Sequence, residues 1–249
     1  MDIWKYYGVT HADHLIMNPL SSAKLDELVG LLPLQTGARM LDIACGKGEL
    51  LIRVARNHEG TTGVGVDISP YEAPAAKRRV DEYGLEDRIE ILEMGGADYD
   101  AAPGSLDLAT CIGASWVWDG FQGTINAFKK IVKPGGLIAI GEPYKMQEPS
   151  AEYENAEPGM AANLVTHAEN IGIAMAAGLT PLYSIASNQD DWDRYEGMQW
   201  RAAEIWAAEN PDDPDVSELL ERMRRDRAVY LRHGRDTLNW AIYLFRAPG

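Results

Sequence analysis

Hydrophobic positions along the chain switch between two rhythms. Short, nearly continuous apolar runs alternate with stretches whose apolar residues recur every three to four positions. That alternation predicts parallel strands joined by crossover helices. The runs are Arg39–Ala44, Thr62–Val66, Arg88–Leu92, Leu106–Ile112 and Leu137–Gly141. Between them the pattern predicts helices over Lys47–His58 and Phe121–Val132, and a third that opens at Ser69-Pro-Tyr-Glu72. There Ser69 suits the cap, Pro70 the first helical position, and Glu72 the reciprocal end of a capping box. Gly84 suits the stop. Lys133-Pro-Gly-Gly136 reads as a turn.

The last third changes character. Ala162–Ala177 reads as a helix ending at Gly178, and Leu182–Ala186 and Asn239–Phe245 as two further strands. Roughly 50 residues rich in Trp, Asp, Glu and Arg separate those strands, and an insertion of that length is more often functional than idle. Pro211 and Pro214 divide it into two helices. Residues 1–19 precede the first helix and form no strand, so they need a surface to pack on. The expected architecture is one α/β domain over 1–249 with a doubly wound, mostly parallel, seven-stranded sheet. Its core is 35–187 and 237–249, with an N-terminal cap over 1–34 and a helical insertion or lid over 188–236 before the last strand.

Composition narrows the function classes. The 249 residues are 46% hydrophobic, enough for a sizeable core, and carry 23 Lys+Arg against 38 Asp+Glu, a formal charge of −15. That balance argues against a nucleic-acid partner and against attraction to anionic lipid. Two cysteines make no disulfide framework and no zinc-type pair. No apolar run spans a membrane, and the start lacks the regions of a signal peptide. The expectation is a cytoplasmic protein, monomer or homodimer, with no metal.

The segment Leu41-Asp-Ile-Ala-Cys-Gly-Lys-Gly48 lies between a strand and a helix. Small residues there let a ligand approach the backbone. About 20 residues on, the second strand ends in Gly63-Val-Gly-Val-Asp67, placed for the acid to bind ribose hydroxyls. Loop plus acid points to an adenosine-containing cofactor. The dinucleotide spacing G-x-G-x-x-G fails, because Leu51 stands where the third glycine is required.

The acid-first order Asp42-Ile-Ala-Cys-Gly-Lys-Gly48 resembles the first motif of class I S-adenosylmethionine (SAM)-dependent methyltransferases, with Ala44 in place of its first glycine. Gly63–Ser69 is similar to the family's ribose segment. Gly96-Ala-Asp98 resembles its adenine segment, although Asp100 also lies nearby. Leu106–Gly113 and Val132–Leu137 resemble its fourth strand and fifth-strand entry. The resemblance covers about residues 38–142 and implies a Rossmann-like fold that binds SAM and releases S-adenosylhomocysteine. The cofactor contacts it implies are Asp42, Ala44, Cys45, Gly46, Gly48, Asp67, Ile68, Ala97, Asp98, Cys111, Ile112 and Gly113. It also implies methyl transfer, here to a small-molecule acceptor. The alternatives are other SAM-fold chemistry, such as cyclopropanation of lipid alkenes, or SAM binding without catalysis.

The acceptor side is less defined. Asn18-Pro-Leu, Ile112-Gly-Ala-Ser, Gly141-Glu-Pro-Tyr, Asp191-Trp-Asp-Arg-Tyr195 and Gly234-Arg235 are similar to a bacterial methyltransferase-like group with no substrate attached. Ser115, Trp116 and Trp118 follow the fourth strand, where an open α/β sheet binds its ligand. Trp192 and Tyr195 lie in the insertion. Glu142 and Tyr144 are read as following the fifth strand at the same edge, Glu142 to accept a substrate proton or hold an amine and Tyr144 to orient the acceptor. His14, three residues after His11, is a candidate base on the N-terminal segment. Catalytic candidates are therefore Glu142, Tyr144 and His14. Acceptor-binding candidates are Ser115, Trp116, Trp118, Tyr144, Trp192 and Tyr195.

Overall fold

A computed structural model describes residues 1–159 and 163–249. Its sheet holds β1 (Arg39–Ile43), β2 (Thr62–Asp67), β3 (Ile89–Glu93), β4 (Leu106–Ile112), β5 (Val132–Lys145), β6 (Thr180–Ala186) and β7 (Leu238–Arg246), in the order β3-β2-β1-β4-β5-β7-β6. The first five strands are parallel. β7 runs antiparallel between β5 and β6. The winding reverses between β1 and β4, which opens a crevice at their carboxyl ends, where open α/β sheets take their ligands.

The nine main helices are α1 (Ile3–Thr10), α2 (Ser22–Leu31), α3 (Glu49–Asn57), α4 (Glu72–Glu82), α5 (Phe121–Ile131), α6 (Ala151–Ala156), α7 (His167–Ala176), α8 (Gln189–Glu209) and α9 (Val216–Val229) among the described residues. Strand alternation divides the core. Met40, Leu108, Ala139, Trp240 and Ile242 pack under α2, α3 and α4. Leu41, Ala109, Ile138, Ile140 and Tyr243 face the other way, under α5 and α7. Burial of both faces explains why these strands read as continuous apolar runs. A third cluster joins Tyr6 of α1 to Ala203 of α8 and to Leu219 and Met223 of α9. The N-terminal segment and the insertion thus form one layer.

Several boundaries depart from the sequence reading. Residues 1–19 contain a helix, α1, capped by the Asp2 side chain on the Lys5 amide. α6 is an additional short helix, capped by Ser150. The expected helix start at Ala162 lies outside the described residues, and α7 begins at His167 with Thr166 and Glu169 in a capping box. The expected turn at Lys133–Gly136 is an irregularity inside β5, where the pairing jumps from Leu106↔Val132 to Leu108↔Leu137. β5 also continues past Gly141, pairing Glu142 with Ala241, Pro143 with Trp240 and Tyr144 with Asn239. Gly141 is required there: a Cβ would stand 2.5 Å from the Trp240 ring, which crosses β5 at that point.

Candidate active site

The loop after β1 turns on three left-handed residues, Ala44 (φ 56°), Gly46 (φ 53°) and Gly48 (φ 72°). Only the first carries a Cβ, which strains the backbone there. Asp67, at the end of β2, ties the loop down: Oδ2 accepts from the Gly46 amide at 2.8 Å and Oδ1 from the Ser69 amide at 2.8 Å. Each oxygen keeps a lone pair for a further donor. Because Asp67 holds the Ser69 amide, Glu72 cannot complete its capping box. Ser69 Oγ still accepts from the Glu72 amide at 3.3 Å, but Glu72 Oε2 is buried with no partner.

Asp42 is 3% exposed and accepts from Thr110 Oγ1 at 2.6 Å. Burial pushes its pKa up to about 7, with Asp67 adding to the rise and the Thr110 bond opposing it. Burial likewise raises Asp67 and Glu72. Three carboxyls short of compensation around one glycine loop make a cradle for a ligand that is positively charged at that end. The residues present therefore fit an adenosine cofactor with a cationic amino-acid end.

A cavity of about 1040 Å³ opens over this loop and extends between α1, α8 and α9. Of the expected cofactor contacts, Asp42, Ala44, Cys45, Gly46, Asp67, Ile68, Ala97, Asp98, Ile112 and Gly113 line it. Asp98 does so where Asp100 does not. Gly48 stands behind the loop, packed near Ala76, and Cys111 is buried on the opposite sheet face. Trp116, Trp192 and Tyr195 line the cavity; Ser115 and Trp118 do not, and Trp118 packs edge-on against Phe128 of α5.

None of Glu142, Tyr144 and His14 reaches the cavity. The reason is strand parity. Glu142 and Tyr144 continue β5 with the spacing of Ile138 and Ile140, so their side chains leave on the α5/α7 face. Glu142 lies there beside Ser115, and Tyr144 against His167 at 5.1 Å. Pro143, one residue out of phase, lines the cavity instead. His14 is buried behind α8, with Nε2 donating to the Tyr195 carbonyl at 2.9 Å.

The inner half of the cavity brings the expected Trp192 and Tyr195 together with residues to which the sequence reading gave no role there. Trp192, Tyr195, Glu196 and Gln199 of α8 line it, as do Arg222, Asp226 and Val229 of α9 and His11 after α1. The signal was available: 192, 195, 196 and 199 fall at i, i+3, i+4 and i+7, one helical face. His11 Nε2 lies 3.0 Å from the Tyr195 hydroxyl and Nδ1 3.0 Å from Thr10 Oγ1. Burial, with His14 adding, lowers the His11 pKa to about 3. Lys47 of the glycine loop donates to the carbonyls of His11, Ala12 and His14 at 2.8, 3.0 and 2.7 Å, fixing this turn to the cofactor loop. No group of metal-ligating side chains occurs among the described residues.

A methyltransferase-domain family pattern matches residues 40–136. The chain is 32% identical over 245 residues to the uncharacterized protein YjhP of Escherichia coli K12, covering 98% of both chains. It is 25% identical over 204 residues to 27-O-demethylrifamycin SV methyltransferase of Amycolatopsis mediterranei, covering 80% of this chain and 72% of that protein. Among solved structures, a SAM-dependent methyltransferase from Thiobacillus denitrificans in complex with S-adenosylhomocysteine superimposes with a TM-score of 0.90. It is 31% identical over 99% of this chain and all of that one.

Proposed function

The chain belongs to the class I SAM-dependent methyltransferases, and from that premise we propose that it methylates a small-molecule acceptor held in the inner half of the cavity. The cofactor is SAM, which when bound supplies a methyl group activated on a sulfonium. The observation that carries the acceptor reading is the continuation of the cavity past the glycine loop into a chamber walled by Trp192, Tyr195 and Trp240. At about 1040 Å³ it exceeds the upper end, about 1,000 Å³, of single small-molecule sites. That is room for a cofactor and a second small ligand.

The chain's own residues divide the work. Asp67 accepts from ribose hydroxyls with the lone pairs left after Gly46 and Ser69. Asp98 and Ile68 would hold the adenine, Asp98 as an acceptor for its amino group. Asp42 and Glu72 meet the cationic end, where a positive charge relieves their burial. Residues 1–34 and 188–236 act as a cap that excludes water and holds the acceptor in line. No described helix is long and apolar enough to cross a membrane. A cytoplasmic setting is consistent with Cys45 and Cys111, both free thiols.

Incubating the protein with methyl-labelled SAM and size-fractionated cell extract tests the reading. Label should enter the low-molecular-weight fraction, and Trp192→Ala should reduce it while SAM affinity survives. Label confined to macromolecules, or a Trp192→Ala variant as active as the parent, would refute it.

A further inference from the structure

The proton on Tyr195 can be located by accounting for its neighbours. Thr10 Oγ1 has one proton, and it donates that proton to the Tyr6 carbonyl at 3.0 Å. With that bond made it accepts from His11 Nδ1, and in this arrangement Nδ1 carries the imidazole proton. His11 is 3% exposed and is held neutral by its burial, which leaves Nε2 as a bare lone pair. The Tyr195 hydroxyl must then donate to Nε2 at 3.0 Å. What Tyr195 offers any other partner is an acceptor oxygen with no proton of its own.

One residue on, Glu196 offers a second acceptor. Its neighbours are Trp200 and Asp226, and it has no cation within salt-bridge reach among the described residues. The Trp200 indole N–H faces it and opposes the effect of burial, short of full hydrogen-bond geometry. Burial, opposed by Trp200 and with Asp226 adding, pushes Glu196 up to about 7. The chamber's two arginines do not offset this. Arg225 is committed to Asp226 Oδ1 at 3.0 and 2.8 Å. Arg222 lies 3.7 Å above the Tyr6 ring and 3.7 Å from Asp226 Oδ2.

We propose that the methyl acceptor is a protonated amine, bound by the Glu196 carboxylate and the Tyr195 oxygen against the rings of Trp192 and Tyr230. This rests on the reading that the inner half of the cavity holds the acceptor. Glu196 and Tyr195 line the same cavity, and a ligand that meets both acceptors needs two donors, which an ammonium supplies and a single hydroxyl does not. The stacked Trp192 and Tyr230 rings, 6.1 Å apart, add faces that attract a cation. An ammonium has no nitrogen lone pair, so it must lose a proton before it can be methylated. Glu196 receives that proton: an N–H bond breaks, an O–H bond forms, and the electron pair stays on nitrogen. A pKa near neutrality suits a carboxylate to that exchange.

Calorimetric titration of the S-adenosylhomocysteine-loaded protein with benzylamine, benzyl alcohol and benzoate at pH 8 tests this. Charged hydrogen bonds predict that benzylamine binds about tenfold or more tighter than benzyl alcohol, with benzoate weakest. Glu196→Gln, which keeps the shape, should bring benzylamine and benzyl alcohol within about twofold, and Tyr195→Phe should weaken benzylamine about fivefold. Val229→Trp, which fills the chamber, should abolish binding of all three probes. Equal binding of the probes, a preference for benzoate, or an amine preference that survives Glu196→Gln overturns the proposal. So does the absence of benzylamine binding at about 10 mM, well above millimolar affinity. If selectivity fails but Val229→Trp still abolishes binding, the acceptor chamber stands and only the amine is wrong. If Val229→Trp leaves every probe bound, the chamber reading itself fails.

Discussion

Asp67 and Asp42 stand on neighbouring strands yet do different work. Asp67 is both a ligand group and a clamp, because its two oxygens already hold the Gly46 and Ser69 amides. Asp67→Ala therefore removes a ribose partner and loosens the loop that carries the strained Ala44. SAM affinity measured by calorimetry should fall by about 1.5–3 kcal/mol, the range for hydrogen bonds to a charged group. The thermal midpoint should fall as well; unchanged affinity would mean that Asp67 does not hold the ribose. Asp42 makes a pH prediction. Its pKa without ligand is about 7, and a cation binds its ionised form. SAM affinity should therefore rise with pH up to about 7 and level off above it. The sign for stability is the reverse. A carboxyl whose pKa is raised by folding binds its proton more tightly in the folded chain, so its contribution is full below the unfolded value, about 4, and is lost as pH rises to about 7. Asp42→Asn should flatten both profiles. A binding profile that still rises through neutrality in that variant would assign the proton elsewhere.

At the scale of elements, what could be read from the sequence depended on periodicity. β4 and the glycine loop followed from an apolar run and a spacing, and most of the expected cofactor contacts meet in one cavity. Glu142 and Tyr144 did not, because Glu142-Pro-Tyr144 carries a proline and two polar residues and so reads as a loop. Pairing with the Asn239–Ala241 stretch of β7 keeps it in the sheet, and a strand sends alternate residues to opposite faces. That pairing is long-range and leaves no mark on the local sequence. α8 was legible in part. Trp192 and Tyr195 line the cavity, and Glu196 and Gln199 share their face at i+4 and i+7, a spacing that the aromatic residues alone do not reveal. The parity of β5 has a direct consequence. Glu142→Gln and Tyr144→Phe should leave SAM affinity within about twofold of the parent, since neither side chain reaches the cavity. Any loss should appear in thermal stability, where surroundings such as Ser115 and His167 are disturbed. A selective loss of SAM affinity in either variant would show that β5 places these residues on the cofactor face.

Across the whole molecule, the first and last thirds of the chain meet in one layer over the sheet's crevice. The amino terminus pairs with Glu218, and Lys5 with Asp213 and Asp215 at 2.9 and 2.6 Å. Tyr6 donates to Asp226 at 3.2 Å, and Arg201 reaches Asp13 at 2.5 Å. Several of these pairs are partly exposed, and exposed pairs hold weakly, about 0–1 kcal/mol each. The layer's own apolar cluster is also small. Asp191 and Trp192 of α8 tie it to Lys24 and Asn239, and Lys47 ties it to the cofactor site, its ammonium holding the end of α1 while its backbone belongs to the glycine loop. A layer that is weakly held yet tied to the cofactor loop should open locally at lower free energy than the core and close when that loop is occupied. Hydrogen exchange followed with and without SAM should therefore slow in α1, α8 and α9 on binding. α7, packed on the opposite sheet face, is the reference and should change little. Slowing in α1 together with α8 and α9 would show that the two segments move as one cap. Equal slowing in α7, or none in the layer, would show a fixed structural element, whose aromatic residues serve packing and not access.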